Sequence, residues 1–149
     1  MAMTTSKKGI SLIKFYEGFQ PKAYYCPAGV LTIGYGTTKG VRPGMVISEA
    51  QGETLLQSDL RKFESAVERL VKVPLTQSQF DALVSFVYNL GEGNFRSSTL
   101  LKVINQGRFD MVPDQMLRWN KAGGKVLNGL TKRRQTEATL FATGKLSLK

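Results

Sequence analysis

Residues 15–38 read FYEGFQPKAYYCPAGVLTIGYGTT, and this stretch joins the end of a predicted helix to a predicted β-hairpin. Apolar residues at 3/4 spacing predict the helix from about Ser6 to Glu17. Two short segments, 23–26 and 30–36, flank a Pro-Ala-Gly turn and have the composition of paired strands. The order of helix, hairpin and turn favours a small unit that contains both kinds of secondary structure.

Glu17 is the only acidic residue among the first 48 positions, and its neighbours in this stretch are aromatic or aliphatic. Desolvation in such surroundings disfavours a charged carboxylate, so the sequence predicts a raised pKa for Glu17. A carboxylic acid that stays protonated near neutral pH can donate a proton to a leaving group. We therefore expect the chemistry in this segment, where Cys26 supplies a thiol and Thr32 a hydroxyl.

The composition excludes several kinds of site. The chain has 149 residues, 42% of them hydrophobic, which suits one domain with a sizeable core. A single cysteine excludes an internal disulfide, and the lack of histidine excludes His-dependent triads and His-ligated metals. No carboxylates cluster at calcium or zinc spacing, so we expect no metal and no other cofactor. No apolar run approaches the roughly 20 residues that span a bilayer, and residues 1–8 lack the apolar block of a secretory signal.

The net charge of +10 is concentrated at the two ends of the chain. Residues 1–48 carry six Lys or Arg against one acid, and residues 117–149 carry eight against one, whereas residues 49–116 are nearly balanced. This asymmetry predicts a polyanionic partner: nucleic acid, an anionic membrane surface or an anionic cell-wall polymer. A generic solubilising surface is the alternative.

Helices are predicted for most of the remaining chain. Ser48 with Gln51, and Thr76 with Gln79, have the spacing of capping boxes, each followed by an amphipathic pattern. The first box begins a long helix over about 48–71. Further helices are predicted near 97–106, 110–119 and 131–143.

These elements predict an α+β fold with two lobes in a single domain, residues 1–149. A small N-terminal lobe, about 9–47, contains the hairpin. The 48–71 helix joins it to a helical C-terminal lobe, about 72–149. A cleft between two lobes is a common place for a binding site.

The second strand of the hairpin has one unusual face. Because side chains alternate along a strand, Thr32, Gly34 and Gly36 share a face, and Tyr35 lies on the other. One hydroxyl and two glycines make a poor core surface but a good floor for a bulky ligand.

Glu17, Cys26 and Thr32 together suit glycoside hydrolysis, which needs an acid beside the glycosidic oxygen and a second group that activates water or attacks carbon. Glu17 fits the acid. Thr32 can hold a water but is too weak a base to deprotonate it alone, and Cys26 could act as base or nucleophile if its pKa is lowered. From the residues alone, the alternative is a buried glutamate paired with an arginine, a structural cysteine and a strand threonine.

The pattern EGF-x-x-x-A-Y-x-C-x-x-G-x-x-T-I-G-Y-G-T-T, residues 17–38, resembles the phage lysozyme (endolysin, muramidase) family typified by the T-even phage lysozyme. In that family a Glu is followed after eight residues by an Asp, in some members a Cys, and after five more by a Thr. The resemblance extends from about residue 9 to 144 and implies a two-lobed lysozyme-like fold. It continues through Tyr88-Asn89-Leu90-Gly91, Arg118-Trp119-Asn120 and Gly129-Leu130-Thr131-Lys132-Arg133-Arg134.

The resemblance implies a muramidase that cleaves the β-1,4 bond between N-acetylmuramic acid and N-acetylglucosamine in peptidoglycan. Glu17 would be the general acid, and Thr32 would position the attacking water. Cys26 stands at the family's aspartate position, where it could assist water with inversion, attack C1 with retention, or be inert packing. Arg133 matches an arginine that faces the catalytic glutamate, although a solvated helix face is the alternative for it and for Arg134.

Three further positions carry expectations. Asn89 could hydrogen-bond a sugar acetamido group from the far wall of the cleft, or cap the end of its helix. Trp119 is expected to pack in the C-terminal core rather than to stack on a sugar. Thr37 stands where relatives often carry a histidine paired with an aspartate, so the matching Asp59 must find a different partner.

The resemblance also implies where the protein acts. It would accumulate in the host cytoplasm as a monomer, leave through a holin-type pore and attack the periplasmic cell wall, causing lysis. It would have no nucleic acid partner and no stable membrane insertion. The alternatives are a nucleic-acid-binding module, a non-catalytic peptidoglycan-binding module or a lytic module carried on a larger tail particle, and membrane disruption by the cationic C-terminal helix.

Overall fold

The computed structural model of the protein describes residues 3–148, which form seven α-helices and two small β-hairpins. The predicted α+β class is therefore confirmed. The helices are α1 (Lys7–Glu17), α2 (Glu49–Leu70), α3 (Gln77–Leu90), α4 (Glu92–Arg96), α5 (Thr99–Asn105), α6 (Val112–Leu117) and α7 (Asn128–Thr143), with a 3-10 turn (Phe109–Met111) before α6. The strands are β1 (Gln20–Tyr25), β2 (Leu31–Gly34), β3 (Lys121–Ala122) and β4 (Lys125–Val126).

Both predicted capping boxes are present. The N–H of Gln51 donates to the hydroxyl of Ser48 at 3.1 Å, and the Gln51 side chain accepts from the Ser48 N–H at 2.8 Å. Thr76 and Gln79 form the same pair of bonds at 3.2 and 2.9 Å. Each box satisfies N–H groups that have no partner within the helix, so α2 and α3 begin where the sequence predicts.

The sequence missed two small elements and misplaced several boundaries: β1 begins at Gln20 rather than at 23, and β2 ends at Gly34 rather than at 36. Helix α4 has only five residues, too few for a periodic apolar pattern. Strands β3 and β4 have two residues each, on either side of a Gly-Gly turn that was predicted as a loop. Helix α7 begins at Asn128, before the predicted start near 131, because its first turn carries no capping side chain to mark it.

Helix α1 packs mainly against α3 and α7. Its buried residues Leu12 and Ile13 belong to the same hydrophobic cluster as Leu83 of α3 and Leu140 of α7. The predicted N-terminal lobe of about 9–47 therefore includes a helix that packs with the helical lobe.

Helix α3 is the centre of the core, since all eight residues from Phe80 to Val87 are buried. The ring of Phe86 meets Phe95 and Trp119 edge to face, at centroid distances of 6.1 and 6.0 Å. Such aromatic pairs add to the stability gained from area burial. The prediction that Trp119 packs in the core is confirmed.

The segment before α1 is fastened to α2 and α3 by buried carboxylates. Thr5 donates its N–H and its hydroxyl to Oε2 of Glu64, at 2.8 and 2.7 Å. The N–H of Ser6 donates to Oδ1 of Asp81 at 2.9 Å. Because a buried charge must be hydrogen-bonded, these contacts satisfy both acids and fix the position of α1.

Strands β1 and β2 form the predicted antiparallel hairpin, with Tyr24 opposite Thr32. The loop that follows returns along β1, where Lys22 pairs with Val46. The loop after β2, the end of α1, the middle of α2 and the end of α3 lie around one cleft. Within residues 3–148, none of the helices combines the length and apolar character needed to cross a bilayer.

Candidate active site

A cleft of about 450 Å³ lies where α1, the loop after β2, α2 and α3 meet. Its walls are mostly polar and include Glu17, Gly36, Asp59, Tyr88 and Asn89. Walls rich in hydrogen-bonding groups suit a polar ligand such as a carbohydrate.

Glu17 is the last residue of α1, and its side chain is 22% exposed at the edge of this cleft. Arg133 of α7, only 4% exposed, donates from Nη1 to Oε2 of Glu17 at 2.8 Å. The carboxylate therefore does not lie in the apolar surroundings that its sequence neighbours predicted. The expected contact with Arg133 is present, and it holds the carboxyl in one rotamer.

Arg133 belongs to a buried arginine cluster, which we define as Arg133, Arg134, Glu137 and Ser85. Both arginines contact the Glu137 carboxylate, with Nε of Arg133 at 3.3 Å from Oε2 and Nε of Arg134 at 2.8 Å from Oε1. Ser85 donates its hydroxyl to Oε2 of Glu137 at 2.6 Å. With Glu17 included, two positive charges face two negative charges. The alternative of a solvated helix face is wrong for both arginines, since neither is exposed by more than 4%.

Asn89 lies in the last turn of α3 and on the wall of the cleft. Its Oδ1 accepts from Nη2 of Arg134 at 2.9 Å. The helix continues to Leu90 and is capped by Gly91, so the interpretation of Asn89 as a cap is wrong.

Gly36 allows the loop after β2 to pass close to the acid. Its φ of 100° is a conformation that side chains disfavour, and a Cβ there would lie 3.5 Å from Oε1 of Glu17 and 3.2 Å from the Tyr88 hydroxyl. That hydroxyl donates to the Tyr35 carbonyl at 2.7 Å. Burial raises the pKa of Tyr88, and the nearby charges of Glu17 and Asp59 raise it further, so the phenol stays a neutral donor.

Gly34 and Tyr35 lie in the packed interior beside the cleft. A Cβ on Gly34 would meet the Cα of Gly52 at 3.5 Å, so this glycine lets β2 approach α2. Tyr35 is 4% exposed, and its ring packs on Phe19 at a centroid distance of 5.3 Å. Their positions suit supporting roles rather than contact with a ligand.

Cys26 and Thr32 are neighbours on the hairpin, and neither lines the cleft next to Glu17. Hydrogen bonds from the N–H groups of Val30 and Ala28 lower the pKa of the Cys26 thiol, and the Thr32 hydroxyl lowers it further. In the structure that hydroxyl donates to the Val30 carbonyl at 2.9 Å. Since a hydroxyl has one proton, it donates either to this carbonyl or to the thiolate.

Asp59 has a partner at the position where the sequence analysis noted a missing histidine. The Thr37 hydroxyl donates to Oδ2 of Asp59 at 2.6 Å, and Thr37 is 2% exposed. The loop after β2 is thereby attached to the middle of α2. The different partner that Asp59 needs in place of a histidine is therefore Thr37 itself.

Sequence reasoning missed Arg134, Glu137 and Ser85 as parts of the site. The signal was available, because Arg133 and Arg134 stand four and three residues before Glu137 and so share a helix face with it. Charged residues at this spacing are usually solvated, which is why the pattern did not indicate burial. Among residues 3–148, no group of three Cys, Asp or Glu side chains is placed to hold a metal ion.

Residues 14–137 match the phage lysozyme family. The chain belongs to that family. It is 52% identical over 145 residues to an endolysin of Bacillus phage B103, covering 95% of this chain and 55% of that protein. An endolysin of Salmonella phage P22 is 40% identical over 144 residues, with 93% and 98% of the two chains covered.

Solved structures of similar proteins show the same fold. An endolysin from Escherichia coli O157:H7 phage FAHEc1 superposes with a TM-score of 0.90 at 40% identity, covering 99% of each chain. The muramidase domain of SpmX from Asticaccaulis excentricus gives a TM-score of 0.89 at 40% identity, covering 94% of this chain and 98% of that one. The predicted lysozyme-like fold is confirmed. The chain spans only 55% and 56% of the endolysins of Bacillus phages B103 and PZA.

Proposed function

We propose that this phage lysozyme is an endolysin: an N-acetylmuramidase that hydrolyses the β-1,4 bond between N-acetylmuramic acid and N-acetylglucosamine in peptidoglycan and lyses the host cell. The observation that carries the proposal is the position of Glu17, at the edge of the cleft with its Oε2 2.8 Å from Nη1 of Arg133. The family match over residues 14–137 supports the same reaction class.

Glu17 acts as the general acid in this proposal. Its carboxyl group gives a proton to the glycosidic oxygen while the bond from that oxygen to C1 breaks and its electron pair stays on the oxygen. Arg133 is a positioning residue that aims the carboxyl and stabilises the carboxylate left after proton transfer. Being 4% exposed, its guanidinium is held in place by the protein and does not reorganise during the reaction.

Cys26 and Thr32 supply the second function. In one route the Cys26 thiolate takes a proton from a water that Thr32 holds, and the hydroxide attacks C1 from the opposite face with inversion. In the other, the thiolate attacks C1, and water then hydrolyses the thioglycoside with net retention. The lowered pKa of Cys26 supports both routes, because both need the thiolate.

Substitution of Glu17 by Gln tests the acid. Glu17→Gln keeps the shape of the side chain but has no proton to give, so clearance of permeabilised Gram-negative cells should slow by at least about a hundredfold. Asp114→Asn, at an exposed position of α6, likewise replaces an acid with its amide and should leave the rate within about twofold. Undiminished clearance by Glu17→Gln would instead indicate membrane disruption by the basic surface.

The stereochemistry of the first product separates the two routes for Cys26. NMR of a muropeptide oligomer digest should show the α-anomer first if water attacks directly, and the β-anomer first if a thioglycoside forms. A β-product from a Cys26→Ser variant that is still active would contradict the cysteine nucleophile.

We also propose that the protein accumulates as a monomer in the host cytoplasm and reaches the wall through a separate holin-type pore. The charge of +10 would draw it to the anionic wall polymer in a salt-dependent way. Sedimentation should give the mass of one 16.5 kDa chain. Bacteria that express the chain alone should stay intact until chloroform or a co-expressed holin opens the inner membrane, and lysis without either would contradict this route.

A further inference from the structure

The side-chain amide of Asn89 has a defined orientation in the cleft. Its Oδ1 accepts from Nη2 of Arg134 at 2.9 Å. An arginine has donors only, so the amide oxygen must face the guanidinium and the NH₂ group must point away from it. Within residues 3–148, Nδ2 of Asn89 has no hydrogen-bond partner, although Asn89 lines the same cleft as Glu17.

Arg134 is itself held from several sides. Its side chain is fully buried, and its Nη2 also donates to Oε2 of Glu137 at 3.1 Å. The guanidinium lies over the ring of Phe86, with 5.0 Å from Cζ to the ring centroid. If the Asn89 amide rotated by half a turn, its NH₂ would face the donors of Arg134. The cluster therefore fixes which end of the amide the cleft presents.

We propose that Arg134 is a positioning residue that holds the NH₂ group of Asn89 toward the cleft, where it donates a hydrogen bond to a carbonyl oxygen of the peptidoglycan substrate. This inference rests on the proposed muramidase function, since it names what that site recognises. A peptidoglycan strand offers such carbonyls in its acetamido groups and in its stem peptides.

Glu137 gives the two adjacent arginines a common anchor. Arg133 contacts both Glu137 and the acid, Glu17, and Arg134 contacts both Glu137 and the amide of Asn89. One buried carboxylate thus orients both a proton donor and a recognition donor. A substrate without the carbonyl would leave the amide NH₂ unpaired, and sites that lose a hydrogen-bond partner in this way discriminate strongly.

The Asn89→Asp variant removes the donor and keeps an oxygen for Arg134. It should be assayed, with the wild type, by release of reducing ends from three walls: intact, de-N-acetylated, and stripped of stem peptides by an amidase. On the wall that lacks the recognised carbonyl, wild-type kcat/KM should fall about ten- to a hundredfold. On the intact wall, kcat/KM of Asn89→Asp should already be about ten- to a hundredfold below that of the wild type, and it should not fall further on the altered wall. Asn94→Asp, on the exposed face of α4, controls for the added charge.

The Arg134→Lys variant tests the positioning role. A lysine keeps the charge beside Glu137 but lacks the planar fork that fixes the amide, so discrimination between the intact and the altered wall should decrease even where activity is retained. Circular dichroism checks the fold. If this variant does not fold, ¹⁵N NMR of the Glu17→Gln protein tests the orientation instead. Addition of an N-acetylglucosamine trimer or of an isolated stem peptide should shift the side-chain NH₂ signals of Asn89.

The outcomes separate this inference from the function on which it rests. If kcat/KM of Asn89→Asp falls by the same factor as that of the wild type on each altered wall, the amide contacts neither carbonyl and the inference fails. Wild-type activity on the intact wall would still support the muramidase proposal. If the wild type releases no reducing ends from any wall, the muramidase proposal fails instead. A decrease in kcat/KM that the wild type shows and Asn89→Asp does not identifies the recognised carbonyl. If it occurs only on the de-N-acetylated wall, the carbonyl belongs to the acetamido group, and if only on the stripped wall, to the stem peptide.

Discussion

The buried arginine cluster and the exposed turn at Cys26 hold the two proposed halves of the site in opposite ways. In the cluster, two arginines and a glutamate of α7 and a serine of α3 fix one another with almost no contact with water. At the turn, a partly exposed thiol is influenced by backbone N–H groups of its own hairpin. The acid, which must be aimed, depends on long-range packing, whereas the thiol, which must ionise, depends on local backbone geometry.

The largest effect should come from removing the carboxylate at the centre of the cluster. Glu137→Gln leaves two buried arginines with one acid, Glu17, and breaking such a buried charge network costs about 3–5 kcal/mol. Urea denaturation should show this loss. Glu92→Gln, which breaks surface ion pairs with Arg69 and Arg96, should cost about 1 kcal/mol or less. Equal costs would mean that burial of the cluster contributes nothing.

A smaller effect should follow from Ser85→Ala. The Ser85 hydroxyl donates to Glu137 at 2.6 Å and accepts from Arg133 at 3.3 Å, so its loss should cost about 1–3 kcal/mol of unfolding free energy. Ser97→Ala, at an exposed hydroxyl, should change it by no more than about 0.5 kcal/mol. Thermal unfolding of both variants measures the difference, and an unchanged Ser85→Ala protein would show that the cluster does not need its hydroxyl.

The turn should respond very differently to substitution. Cys26→Ser at neutral pH should change the unfolding free energy by no more than about 0.5 kcal/mol, because the site is near the surface. A loss comparable to that of Glu137→Gln would remove the contrast between the two regions.

Titration gives the finest test of the turn. Thiolate absorbance near 240 nm should give a pKa for Cys26 below its ordinary value, and Thr32→Val should raise it. Because the folded-state pKa is lowered, the stabilisation is absent below that pKa, grows as pH rises through it and is complete above the unfolded value of about 8.5. The stability advantage of the wild type over Cys26→Ser should therefore increase from neutral to alkaline pH. A pKa at or above the ordinary value would contradict the backbone bonding at the turn.

Much of the fold could be predicted from local sequence. Capping boxes at Ser48 and Thr76 gave the starts of α2 and α3, because the bonds that make them join residues three apart. The position of α1 could not be predicted in the same way. Its place against α3 and α7 is decided by side chains far apart in the chain, so its adjacency in sequence to the hairpin did not predict which elements it packs against.

The same limit applies to the site. Glu17, Cys26 and Thr32 could be predicted as site residues because their spacing matches a family pattern. The resemblance to that family also predicted Arg133. The burial of Glu137 could not be predicted from the sequence, because an acid three residues after an arginine also occurs on solvated helices. The partner of Asn89 was missed for a different reason, since Arg134 is 45 residues away in sequence.

The contact between Glu17 and Arg133 joins residues 116 positions apart, which has a consequence for the timing of biosynthesis. At roughly 5–20 residues per second, a ribosome needs about 6–23 s to proceed from one codon to the other. Throughout that interval the nascent chain carries its acid without the group that aims it. A ribosome that stops before Arg133 would release a product that carries Glu17, Cys26 and Thr32 but lacks the arginine that positions the acid, so the proposed active site forms only after residue 133 has been made.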